Sequence, residues 1–176
     1  MIRTLFVAAA SLSFTACAMN ADIGADAAAA VGDMTPTQAS AYVAMAASSD
    51  MFEIESSRLA LQRSQNTDIQ QFARMMIDHH TQTTQQLSAA ARAAGVTVPM
   101  SMSPMHARLV TTLNAAGSGR AFDRVYATQQ VLAHQQALAL HGNYAVRGDT
   151  PALRQTAGAA TPIVRGHLNT AQNLPR

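Results

Sequence analysis

Five ionisable residues fall where metal chemistry would need them: Glu53, Asp78, His79, His134 and His167. Imidazole and carboxylate donors converging on one point suit zinc, iron or copper. A di-iron carboxylate centre asks for more. It needs a glutamate from each of two helices and a Glu-x-x-His pair from each of two others. Here the residues three places before His79 and His167 are Met76 and Val164, and Glu53 is the one well-placed glutamate. The set therefore points to a single ion rather than a pair. The competing reading, and the favoured one, is a hydrogen-bonded packing network. In it Glu53 or Asp78 accepts from His134 or His167, and serines and glutamines complete the remaining bonds. His80 and His141 are expected at the surface or as partners of the others.

A second donor set is softer. Met100, Met102, Met105 and His106 fall within seven residues. Thioethers at this spacing suit copper(I), while the plainer expectation is methionines filling gaps over a helical core. Nucleophilic catalysis has no comparable signal. No Gly-x-Ser-x-Gly and no phosphate-cradling glycine loop is present.

These residues need four long helices to bring them together. Alanine and glutamine abound, tryptophan is absent, and no β-branched alternation marks a strand. The first helix is expected from Thr35-Pro36, with Thr35 as cap and a stripe through Tyr42, Met45, Ala46, Phe52, Leu59 and Ala60. Asn66 or Thr67 caps the second. Its stripe passes through Ile69, Phe72, Ala73, Met76, Ile77, Leu87, Ala90, Ala91 and Ala94, and Gly95 closes it. Pro99 and Pro104 then forbid a helix, until a short one from Met105 to Ala115 capped by Ser103. The third long helix runs from about Arg120 to Val146. The fourth starts at Pro151 behind the cap Thr150. Two long helices, a crossover with a short helix, and two more long helices make an all-α, ferritin-like four-helix bundle. At about 1.5 Å of rise per residue, Glu53, His79, His134 and His167 come to a common depth.

The N-terminus reads as a targeting segment. Arg3 precedes an apolar run from Leu5 to Phe14, which ends in small residues and Cys17. That run is too short to span a bilayer of roughly 30 Å. Its end is lipobox-like, so Cys17 is the expected lipidation site and membrane anchor. Ala18 rather than aspartate after it implies the outer membrane. The organisation expected is a signal peptide over 1–17, an Ala/Gly/Asp-rich tether over 18–34, and the bundle over 35–176. Cys17 is the single cysteine, which leaves no intrachain disulfide. The formal charge is +2, and all twelve basic residues are arginines scattered along the chain. A nucleic-acid partner would want a basic stripe instead.

Several motifs occur together and in order: Glu53-Ile54, then Phe72-Ala73 with Met76-Ile77-Asp78-His79, then Gly95 and Pro99. Phe122-Asp123, Tyr126 and His134 follow, and then Pro162 with His167-Leu168. Over roughly residues 38–174 the chain resembles a bacterial family of unknown function, described as outer-membrane or periplasmic proteins with a ferritin-like domain. The resemblance implies the fold and a cell-envelope location, and no reaction. The expectation is thus a lipid-anchored envelope protein with a non-enzymatic, binding or structural role. The alternatives are a metal-binding protein using the mid-bundle set, or copper sequestration through the Met-rich crossover.

Overall fold

Helix-forming segments rich in alanine fold into five α-helices in the computed structural model, which describes residues 35–175. They are α1 (Ala39–Arg63), α2 (Thr67–Ala93), α3 (Pro104–Ala115), α4 (Gly119–Arg147) and α5 (Pro151–Gln172). The expected signal peptide, Cys17 and the tether lie outside the described residues.

Three of the expected end signals operate locally. The Asn66 side-chain oxygen accepts from the amides of Asp68 and Ile69 at 2.9 and 3.2 Å. Gly95 takes φ 69°. Its amide reaches Arg92 O and that of Val96 reaches Ala91 O, at 3.1 and 2.8 Å, which closes α2 in a Schellman motif. Ser103 caps α3 through His106 N at 3.3 Å.

Two caps differ. Helix α1 starts at Ala39, not behind Thr35, and the Ala39 amide is met at 3.2 Å by Asp149 from the turn between α4 and α5. A carboxylate at a helix N-terminus gains from the helix dipole as well as from the hydrogen bond. Thr150, expected to cap α5, does not do so with its side chain. The Thr150 hydroxyl donates to Asp149 Oδ1 at 3.0 Å and makes no cap bond.

Contacts at the two ends fix the topology. Arg63 donates to Asn114 O at 2.7 Å, which brings the end of α3 to the turn between α1 and α2. The amide of Asp149 donates to Thr37 O at 3.0 Å, which brings the turn between α4 and α5 to the start of α1. The crossover therefore runs back along the bundle. Helices α1 and α2 form one antiparallel pair and α4 and α5 the other; α1 packs on α4, and α2 on α5. This is the all-α four-helix bundle with a helical crossover that the sequence predicts. Among the described residues no helix is long and apolar enough to cross a membrane.

The core is divided. One apolar cluster, with Ile69, Phe72, Met76, Phe122, Tyr126 and Leu174, fills the end near the α1–α2 turn. Another, with Tyr42, Val43, Leu87, Leu140, Tyr144 and Leu153, fills the opposite end. Each large side chain buried there contributes about 1.5–3 kcal/mol. Between the clusters lies a buried polar storey: Asp50, Glu53, His80, His134 and His167. Met45, expected on the inward stripe, is instead 45% exposed over a cavity beside the crossover.

Candidate metal centre

All four long helices contribute to the polar storey. Helix α1 supplies Asp50 and Glu53, one turn apart. Helix α2 supplies His80, α4 His134 and α5 His167. The three rings are buried, with 4%, 1% and 3% exposure in that order. Their centroids form a nearly equilateral triangle: 5.8 Å from His80 to His134, 5.5 Å from His80 to His167 and 5.3 Å from His134 to His167. One nitrogen from each ring lies within 4.8 Å of the other two.

Each ring is held from behind. His80 Nδ1 lies 2.8 Å from Asp50 Oδ1, and Asp50 also accepts from the Thr83 and Thr84 hydroxyls at 3.0 and 3.1 Å. His134 Nδ1 lies 2.8 Å from the Gln130 carbonyl. A carboxylate and a carbonyl only accept, so both Nδ1 atoms carry hydrogen. In the neutral rings both Nε2 atoms then carry lone pairs. His167 uses Nε2 outward, 2.7 Å from His79 Nδ1. With its proton there, its Nδ1 is the acceptor.

The nitrogens left over are His80 Nε2, His134 Nε2 and His167 Nδ1. None has a hydrogen-bond partner, nor does buried Glu53 Oε2. Stranding one polar atom in a core costs on the order of 1–3 kcal/mol. Four around one storey do not describe a closed packing network. The hydrogen bonds expected of such a network also fail to form. Glu53 Oε1 stands 3.7 Å from His134 Nδ1, and Asp78 is exposed on the outer face of α2, within 3.4 Å of Gln82.

The electrostatics favour a cation. Burial, and then the neighbouring His80, His134 and His79, push the His167 pKa down to about 3. Burial lowers that of His134 too, with His80 adding to the effect against Glu53 and the Gln130 carbonyl. At neutral pH both rings are therefore neutral, and each keeps a nitrogen lone pair. His80 behaves oppositely. Burial pulls its pKa down, but the hydrogen bond to Asp50 and the charges of Glu53 and Asp50 outweigh it and raise it. Of the three rings His80 is the one whose surroundings favour a proton, and an arriving ion would compete with that proton for Nε2.

The family described as Domain of unknown function (DUF4142) matches residues 24–174. The chain belongs to it. Among solved structures, the chain is similar to one titled "CopM in the Cu(II)-bound form", at 18% identity and a TM-score of 0.65, over 79% of this chain and 95% of that one. At that identity the likeness concerns the fold. No curated protein matches.

In this DUF4142 chain the geometry redistributes the residues singled out by sequence. Glu53, His134 and His167 turn inward. His79 is half-buried behind His167, Asp78 faces outward, and His80, expected at the surface or as a partner of the others, completes the triangle. A signal for His80 was present. It lies four residues after Met76 and seven before Leu87, both on the apolar stripe, so the stripe passes through it. Asp50 carries a parallel signal, four residues after buried Ala46. His141 stays outside the cluster, with Nδ1 3.0 Å from the Tyr42 hydroxyl.

The crossover residues divide between two cavities. Met100 is 94% exposed and lines one cavity with Met51. Met105 and His106 line another, and Met102 lines neither. His106 Nδ1 is held 2.6 Å from Ser48 Oγ, and its ring stacks on Phe52 with centroids 5.4 Å apart.

Proposed function

We propose that this protein binds one divalent transition-metal ion, copper(II) foremost, in the buried storey of the bundle. The ligands are His80 Nε2, His134 Nε2 and His167 Nδ1, and Glu53 supplies the facing negative charge. The observation that carries this reading is the set of unpartnered buried atoms, each on a ring whose other nitrogen is already engaged in a hydrogen bond. Carboxylate and carbonyl groups behind ligand histidines are the usual means of setting tautomer and basicity at metal sites. Three imidazoles suit copper and zinc, and copper(II) stands highest in the divalent affinity order. The similar fold solved with copper(II) makes that ion the first to test. The closed position of the rings favours holding an ion over turning over a substrate, so the proposed role is sequestration or carriage. The proposed setting is the periplasmic face of the envelope, with the chain anchored through lipidated Cys17.

Tag-free protein equilibrated with Cu²⁺, Zn²⁺ or Fe²⁺ and then desalted should retain about one ion per chain, as elemental analysis would report. Its melting point should rise by mass action, by the equivalent of about 2.7 kcal/mol at a free ion concentration a hundredfold above Kd. His134→Ala should remove both effects. If the wild-type protein retains no ion and its melting is unmoved, the reading fails. For the anchor, Cys17→Ser should move the protein from the membrane fraction to the soluble one; unchanged fractionation would refute lipidation.

A further inference from the structure

The three rings are too deeply buried to meet a hydrated ion directly. The bundle nevertheless offers a place where surface and site touch. His79 is half-buried, and its Nδ1 lies 2.7 Å from His167 Nε2, with ring centroids 5.0 Å apart and planes within 22°. On its outer side His79 lines a surface cavity of about 120 Å³ with Gln82, Thr83, Gln86 and Ile163. Thr83 in turn donates to Asp50, the carboxylate behind His80. The wall of this cavity is thus continuous with the shell of the buried triangle.

His167 has both nitrogens engaged in different compartments. Nε2 faces His79, and Nδ1 is the unpartnered atom assigned to the storey. One ring therefore spans the distance between an outer imidazole and an inner set of donors.

Resting on the metal-binding reading above, we infer that His79 is the loading ligand of the buried site. The ion coordinates His79 in the cavity and sheds part of its water there. The contact between His79 Nδ1 and His167 Nε2 then opens, and its proton stays on that pair, so both rings remain neutral. Past the displaced His167 ring the ion reaches the three inner lone pairs, His80 Nε2, His134 Nε2 and His167 Nδ1. Nothing is oxidised or reduced. His79 is bonded to the ion only in transit, so it sets the rate of loading and not the final affinity.

The test is stopped-flow uptake of copper(II), buffered with glycine, by the full chain, followed by tyrosine fluorescence, together with an equilibrium titration. His79→Ala should slow uptake and release alike, by about tenfold or more, and leave Kd within about threefold. His79→Asn places an amide oxygen near the position of Nδ1 and keeps an acceptor for His167, while remaining a poor metal ligand. It should be as slow as the alanine variant. Loading of His79→Ala at the wild-type rate would overturn the inference. So would recovery of the rate in His79→Asn, which would make His79 a positioning residue for His167. A Kd weakened about tenfold or more in His79→Ala would make it an equilibrium ligand instead. If wild-type protein takes up no copper at all, the metal site itself fails, and that is known before any variant is made.

Discussion

Asp50→Ala is expected to destabilise the ion-free protein by about 3–5 kcal/mol, because it breaks a buried hydrogen-bonded network and leaves three donors without their acceptor. Asp50 is 6% exposed and accepts from three groups: the His80 ring and the hydroxyls of Thr83 and Thr84. Without it, His80 loses the charge that raises its pKa and the bond that fixes its ring. Copper(II) affinity should fall about 10–100-fold as well, the usual cost of losing the group behind a ligand histidine. Urea unfolding and a copper titration measure the two effects separately. Asp78→Ala is the natural control. That carboxylate is exposed, so its loss should stay within about 0.5 kcal/mol and leave copper affinity alone. Equal behaviour of the two variants would sink the assignment of Asp50.

Phe52→Ala is expected to cost a similar amount, about 3–5 kcal/mol, from lost transfer energy and the cavity left behind. Phe52 is fully buried, and His106 of α3 stacks on it nearly parallel, at 15°. Beside it, Ser48 holds His106 Nδ1 and also accepts from Ser103 N at 2.8 Å. These contacts pin the crossover to α1. The variant should therefore lower the urea midpoint and also speed trypsin cleavage after Arg108, which is exposed on α3. A lowered midpoint with unchanged cleavage would mean that Ser48 alone is enough to hold the crossover.

Local chemistry was readable in the sequence. Asn66, Gly95 and Ser103 act on amides and carbonyls within a few residues, so their caps need no knowledge of the rest of the chain. Five helices and their order follow from the same kind of signal. Asp149 was not readable in this way. It caps α1 across 110 residues of sequence, and only the closed bundle brings it there. The inward turn of Glu53, His134 and His167 was legible from apolar spacing. Depth alone does not separate His79 from His80, because adjacent residues differ by about 1.5 Å of rise but about 100° of rotation. Depth fixes the storey and phase fixes the face. The stripe through Met76 and Leu87 held the phase information.

The division of the core has a mechanical consequence. The three rings come from α2, α4 and α5, so they belong to both antiparallel hairpins. An ion seated among them would be a cross-link between hairpins, at the level where apolar packing is interrupted. A polypeptide with a single cysteine has no disulfide with which to make that staple. Coordination would then tie the two halves together in the folded state, so that they open as one and release the ion when they do.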